Sequence, residues 1–278
     1  MLTTAAIATT AQAAGPPPGA GHGYNSIPSP LPGNLPSVGA EAYAFNEFGN
    51  EITLAGPATP YPTVTVTMSS WGCQSGSWYG GDCQTTPGAT FSIPITLNIY
   101  NPPAAGAVIP GSLITSVTQT FSIPYRPSAD NVNCTGAYAG RWYDQASNTC
   151  FNGLATNIRF HLDPHVRLSG AIVYGITYNT SHYGYNPLGT GPSCYATSAG
   201  CPWDSLNIAL SQDPTNVTVG SDPNPGTVWQ NSHIPGEYCD NGAAGLGFFR
   251  LDSPGASNNC WSVGPQPSPY YVPAVTFS

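Results

Sequence analysis

Lysine is absent from this 278-residue chain, and its five cations are all arginine: Arg126, Arg141, Arg159, Arg167 and Arg250. Charged residues of either sign make up only 6 %, with a net charge of −8. No basic stripe exists to displace counterions from phosphates, so a nucleic-acid partner is not expected. The same deficit argues against anionic membrane surfaces. No apolar run approaches the roughly 20 residues of a membrane span. No window of ten or more residues shows a capped 3.6-residue hydrophobic period, which leaves no basis for a helical bundle. A C-x2-C spacing is missing, and no histidine stands at a zinc-like distance from a cysteine pair. A G-x-S-x-G nucleophile elbow is missing as well.

Cysteine, glycine, proline and alternating apolar residues are what the chain has. Its eight cysteines fall into close sequential pairs, Cys73/Cys83, Cys134/Cys150, Cys194/Cys201 and Cys239/Cys260. Each pair brackets a Gly/Ser/Asn-rich segment, the kind of loop a disulfide steadies, although eight cysteines allow 105 connectivities. Disulfides imply an oxidising compartment. The opening MLTTAAIATTAQAAG ends in Ala11-Gln12-Ala13, an A-x-A cleavage pattern, so residues 1–13 read as the remnant of a signal peptide and the protein as secreted.

Residues 14–40 are rich in Pro, Gly and Ser and read as an extended linker. From Glu41 onward the pattern changes to short β-type runs: AYAFNEF, EITLAG, PTVTVTMSSW, TFSIPITLNIY, SLITSVTQTFSIP, TNIRFHL, AIVYGITYN, DSLNIALS, GTVWQ, GFFRLD and PYYVPAVTFS. PTVTVTM and ITLNIY alternate as half-buried strands do. Pro94, Pro124 and Pro273 mark edges or bulges. These runs, separated by stapled loops, predict an all-β protein: a β-sandwich of jelly-roll type, one domain over residues 41–278. The closing strand is expected near AYAFNEF or EITLAG.

The series EITLAG, VTVTMSSWGC, ITLNIY, FSIPYRPSAD, NGLATNIRF, IVYGITYNTSHYG, GCPWDSLNIAL, FFRLDSP and YVPAV resembles secreted proteins of high-GC actinobacteria without an assigned activity. EITLAG, ITLNIY and YVPAV are also similar to extracellular β-sandwich domains that precede surface anchors in bacteria. The resemblance implies fold and location, and it implies no catalytic residue.

Two aromatic loops are the candidate binding residues. WGCQSGSWYGGDC puts Trp78 and Tyr79 inside the Cys73/Cys83 loop, and a stapled loop loses little entropy on binding. YNTSHYGYNPLG follows a strand and carries His182, Tyr183 and Tyr185. Aromatic faces stack on a pyranose while His and Asn hydrogen-bond its hydroxyls, so a glycan or cell-envelope polymer is the expected partner. The alternative for this loop is an ordered turn set by Gly184 and Gly189. HLDPH places His161, Asp163 and His165 at alternate positions, but Pro164 makes a turn the simpler reading. His22 resembles the metal-chelating first residue of lytic polysaccharide monooxygenases, yet the cleavage pattern lies upstream of it. A hydrolase would need two facing carboxylates. Four glutamates are available, Glu41, Glu47, Glu51 and Glu237, with Glu47 and Glu51 a conceivable pair across a turn. No catalytic cofactor is expected, and structural calcium at Asp222, Asp240 and Asp252 is the one ion considered. A non-catalytic binding module, a polysaccharide hydrolase and a structural extracellular protein all remain open, as does the oligomeric state.

Overall fold

The computed structural model describes residues 21–188, 202–234, 245–252 and 270–278. They form two antiparallel sheets packed face to face, a β-sandwich, with a small hairpin beside them. In chain order the strands are β1 (Tyr24–Asn25), β2 (Ser37–Gly39), β3 (Glu47–Pro60), β4 (Thr63–Ser70), β5 (Thr90–Tyr100), β6 (Leu113–Pro124), β7 (Trp142–Asp144), β8 (Thr149–Phe151), β9 (Leu154–His161), β10 (Arg167–Tyr178), β11 (Leu206–Asp213), β12 (Trp229–Gln230), β13 (Arg250–Leu251), β14 (Tyr270–Pro273) and β15 (Val275–Phe277). One helical turn, α1 (Ala40–Tyr43), precedes β3.

The first sheet is centred on β4, which pairs with β9 along one side. Its other side pairs with β11 through Met68–Ser70 and with β15 through Val64–Val66. β4 and β11 diverge after this contact, and the C-terminal chain fills the fork. β14 enters along β11, the chain turns at Ala274, and β15 leaves along β4. Ala274 bonds to both walls: its N–H donates to Ala209 and its carbonyl accepts from Thr67, each at 2.9 Å. The closing strand therefore pairs with β4, β11 and β1, and β3, near which it is expected, touches β14 without pairing with it.

The second sheet runs β13-β12-β3-β10-β5-β6. Period-2 alternation directs Ile93, Ile95, Leu97 and Ile99 of β5 and Ile172, Tyr174 and Ile176 of β10 into the core. There they meet Val64, Val66 and Met68 of β4 from the facing sheet. Pro94 sits just past Ile95, the last β5 residue paired with β10, where its missing N–H breaks no ladder. Gly49 is required on β3, because a Cβ there would come within 1.7 Å of the Tyr174 carbonyl oxygen.

Two expectations fail locally. The run AYAFNEF is not one strand: its start is α1, closed by Ala44 in the left-handed conformation, and only Glu47 onward is extended. The linker reading does not describe residues 21–40. Tyr24 pairs with Phe277 and Val38 with Ile208, and Tyr24, Val38 and Ala40 are buried in the core. Proline gives up only its donor. Pro36 still accepts the Leu210 N–H at 2.7 Å, so a proline-rich segment can serve as a sheet border.

Disulfides join Cys73 to Cys83 and Cys134 to Cys150, with Cα separations of 5.3 and 5.9 Å. Cys194, Cys201, Cys239 and Cys260 lie outside the described residues, as do Asp240, Glu237 and Gly189. No helix among the described residues is long and apolar enough to cross a membrane.

Candidate functional site

Three distant chain segments meet at one rim of the sandwich, and strand register explains why. β2 pairs with β11 so that Gly39 faces Asn207, which sets Glu41 of α1 beside Asp204, just ahead of β11. β4 pairs with the same end of β11, and the Trp71 N–H donates to the Ser205 carbonyl at 2.8 Å. β10, in the opposite sheet, ends at Tyr178 and delivers the loop carrying His182. The Tyr178 hydroxyl ties that end across the sandwich, donating to the Leu206 carbonyl at 2.7 Å.

Here His182 Nδ1 contacts Glu41 Oε1. The two residues before it hold the carboxylates. The Thr180 hydroxyl donates to Glu41 Oε2 at 2.6 Å, and the Ser181 N–H donates to Asp204 Oδ1 at 2.6 Å. The ligand atoms of Glu41, His182 and Asp204 all lie within 4.8 Å of one another, the one such group of three among the described residues. Burial pushes the Asp204 carboxyl above its ordinary pKa, and the Glu41 charge adds to the rise, while Ser181 and His182 pull it back.

A groove of about 340 Å³ opens beside this cluster, lined by Glu41, Tyr43, Trp71, Trp78, Asp204 and Asn207 among others. Trp78 packs edge-on against Trp71 at 4.8 Å and carries Tyr79 edge-on at 5.8 Å. Trp78 is 36 % exposed and Tyr79 59 %. The rings are mutually perpendicular and do not form a flat platform. The loop bearing them is steadied by the Cys73–Cys83 bridge, by a Ser75–Gln84 backbone pair and by Asp82 accepting the Ser77 N–H at 2.9 Å.

The second aromatic loop is an ordered turn whose side chains diverge. The Thr180 N–H donates to the Tyr183 carbonyl, and the Leu188 N–H to the Thr180 carbonyl, each at 2.8 Å. Gly184 has a φ of +110° and its N–H donates to Asn46. His182 goes to Glu41. Tyr183 instead stacks on His233 at 6.4 Å. Tyr185 is exposed on the side of Glu47, whose charge, after burial, contributes to raising the Tyr185 phenol pKa. Glu47 is buried, accepting from the Asn98 amide and the Tyr100 hydroxyl at 2.9 Å each, and burial pushes its pKa up. Glu47 and Glu51 occupy one face of a single strand, four residues or about 13 Å apart, so they are not a facing pair.

His161 ends β9, and Asp163 and His165 follow in a turn in which Asp163 accepts the His165 N–H at 2.8 Å; all three are exposed. His22 stacks on Tyr61 at 5.1 Å. Asp222 is taken up by Asn50 and by the Asn224 N–H. Asp204 carried no signal of its own in the sequence, because only the β2–β11 and β4–β11 pairings bring it to Glu41 and Trp71. The chain matches no family model, no curated protein and no solved structure.

Proposed function

We propose that this is a secreted, non-catalytic binding module and that the groove between Trp78 and the Glu41–His182–Asp204 cluster takes a saccharide unit of a glycan or cell-envelope polymer. The observation that carries the reading is the shared groove, which sets an accessible indole and two carboxylates around one 340 Å³ space. An indole offers an apolar face to a sugar ring, and carboxylates accept hydrogen bonds from vicinal hydroxyls. Disulfides at Cys73–Cys83 and Cys134–Cys150 favour an oxidising, extracellular setting. The actinobacterial resemblance points the same way.

A hydrolytic reading is favoured by one observation. Glu41 and Asp204 oxygens within 4.8 Å of each other approach the separation of about 5–5.5 Å found between the carboxyl groups of retaining glycosidases. A single experiment separates the two. The purified chain is incubated with insoluble cellulose, chitin, xylan and bacterial cell walls, and both the pellet and the soluble products are analysed. Binding predicts retention on one polymer without products, weakened about thirtyfold in Trp78→Ala, on the order of 2 kcal/mol for a central aromatic contact. Released oligosaccharides that vanish in Glu41→Gln would favour the hydrolase. Neither retention nor products would sink both readings.

A further inference from the structure

We propose that Glu41, His182 and Asp204 form a divalent metal site of the zinc class beside the groove, with a further coordination position left for water or a bound group. The cluster is a mixed nitrogen–oxygen donor set, not a patch of surface acids. Its three residues come from α1, the loop after β10 and the turn before β11, and the Asp204 side chain is held where only 7 % of the residue is exposed. An ion with bonds of about 2.1 Å sets its ligand atoms roughly 3–4 Å apart. The three ligand atoms already lie within 4.8 Å of one another, and His182 and Glu41, which touch here, would separate to admit the ion between them and Asp204.

The supporting contacts suit ligation. Metal-binding carboxylates are commonly oriented by outer hydrogen bonds. Here Thr180 holds one oxygen of Glu41 and Ser181 one oxygen of Asp204, so three successive loop residues supply two orienting donors and the imidazole ligand. The two carboxyl groups lie within 4.8 Å of each other at a rim where Asp204 is largely removed from water, a pairing that a bound dication would suit.

Donor type selects the ion. Calcium and magnesium take oxygen ligands, whereas imidazole with carboxylates suits zinc and its neighbours in the first transition row. Closed structural zinc sites have four protein ligands, while three protein ligands leave a position for water or a bound group. The cavity lined by Glu41 and Asp204 adjoins the cluster and would give such a group room. The site stands on its own geometry and does not depend on the saccharide reading.

The test uses the tag-free chain, treated with a chelator, desalted, and titrated with zinc chloride by calorimetry in the absence of any polysaccharide. Cobalt chloride is the spectroscopic probe. One equivalent of zinc is expected, with a micromolar or tighter dissociation constant, and cobalt should produce a visible absorption band. His182→Ala is the principal variant, because its side chain is 67 % exposed and its removal spares the core. It should weaken zinc binding at least about tenfold and abolish the cobalt band while metal-free melting stays unchanged. Glu41→Gln should do the same. Failure of the wild type to bind an equivalent, or wild-type affinity in His182→Ala, would overturn the site. Calcium displacing zinc at equal concentration would overturn the choice of ion.

Discussion

Asp222 carries the residue-scale consequence of burying carboxyl groups in a chain without lysine. Its side chain accepts the Asn50 amide at 2.9 Å, and the Asn224 N–H at 2.8 Å. Burial is the main reason its pKa is pushed up to about 7, with the charges of Asp213 and Glu51 adding to the rise and the two hydrogen bonds opposing it. In the unfolded chain the same carboxyl titrates near about 3.9. Between about pH 4 and 7 the folded protein therefore holds a proton that the unfolded chain has released. The stabilising contribution is fully present below about pH 4 and is lost as pH rises through 7, at up to about 1.4 kcal/mol per pH unit. Burial also raises Glu47, Glu51, Asp204 and Asp213, which slope the same way. Urea unfolding between pH 4.5 and 8.5 should show the protein gaining stability on acidification. Asp222→Asn keeps the acceptor for Asn50 and should make that slope shallower by up to one proton. An unchanged slope would mean that Asp222 is ionised in the folded state across this range.

At the scale of elements, the Cys73–Cys83 loop is where stability and recognition are joined. Its bridge spans a sequence separation of 10, for which loop-closure entropy gives roughly 2–3 kcal/mol. Replacing both cysteines with alanine should lower the melting temperature and, by loosening Trp78, weaken polymer retention. A variant that melts earlier yet retains polymer like wild type would separate Trp78 from the binding surface. This loop was legible in the sequence, because its cysteines are close and, Trp78 and Tyr79 apart, the residues between them are small or polar. The strands β4 and β5 were legible because alternation of Val, Ile and Thr is a local signal, and β10 because AIVYGITY is a short run of β-branched and aromatic residues. β2 was not, as three residues among prolines have no pattern, and only the edge of β11 makes them a strand. The site shared that limit. Trp78 and His182 stood out by composition, but Glu41 was one glutamate of four and Asp204 was unmarked, and long-range pairing alone joins them. Tyr183 and Tyr185 looked like partners of His182 because they adjoin it in sequence, yet the turn at Gly184 sends them to other neighbours.

For the whole molecule, the two chain ends close the first sheet together. β15 lies between β4 and β1, so the C-terminal strand is covered on its outer side by Tyr24 and Asn25. The Ser26 hydroxyl donates to the Pro273 carbonyl at 2.8 Å and accepts the Val275 N–H at 2.9 Å, locking the fork at the point where the chain turns. A second small cluster, Leu35 with Ala209 and Ala274, seals the same junction. A chain begun at Glu41, where the β pattern starts, would expose the edge of β15 and half of β11. It would also lose the buried side chains of Tyr24 and Val38, each worth about 1.5–3 kcal/mol, out of a total stability of about 5–15 kcal/mol. Such a fragment is expected to be aggregation-prone or to melt at least about 10 °C below a chain begun at Gly21, which keeps both strands. Because β2 positions Glu41, the shorter fragment should also fail to bind zinc even where some of it folds. Equal melting of the two fragments would return residues 21–40 to the role of a linker.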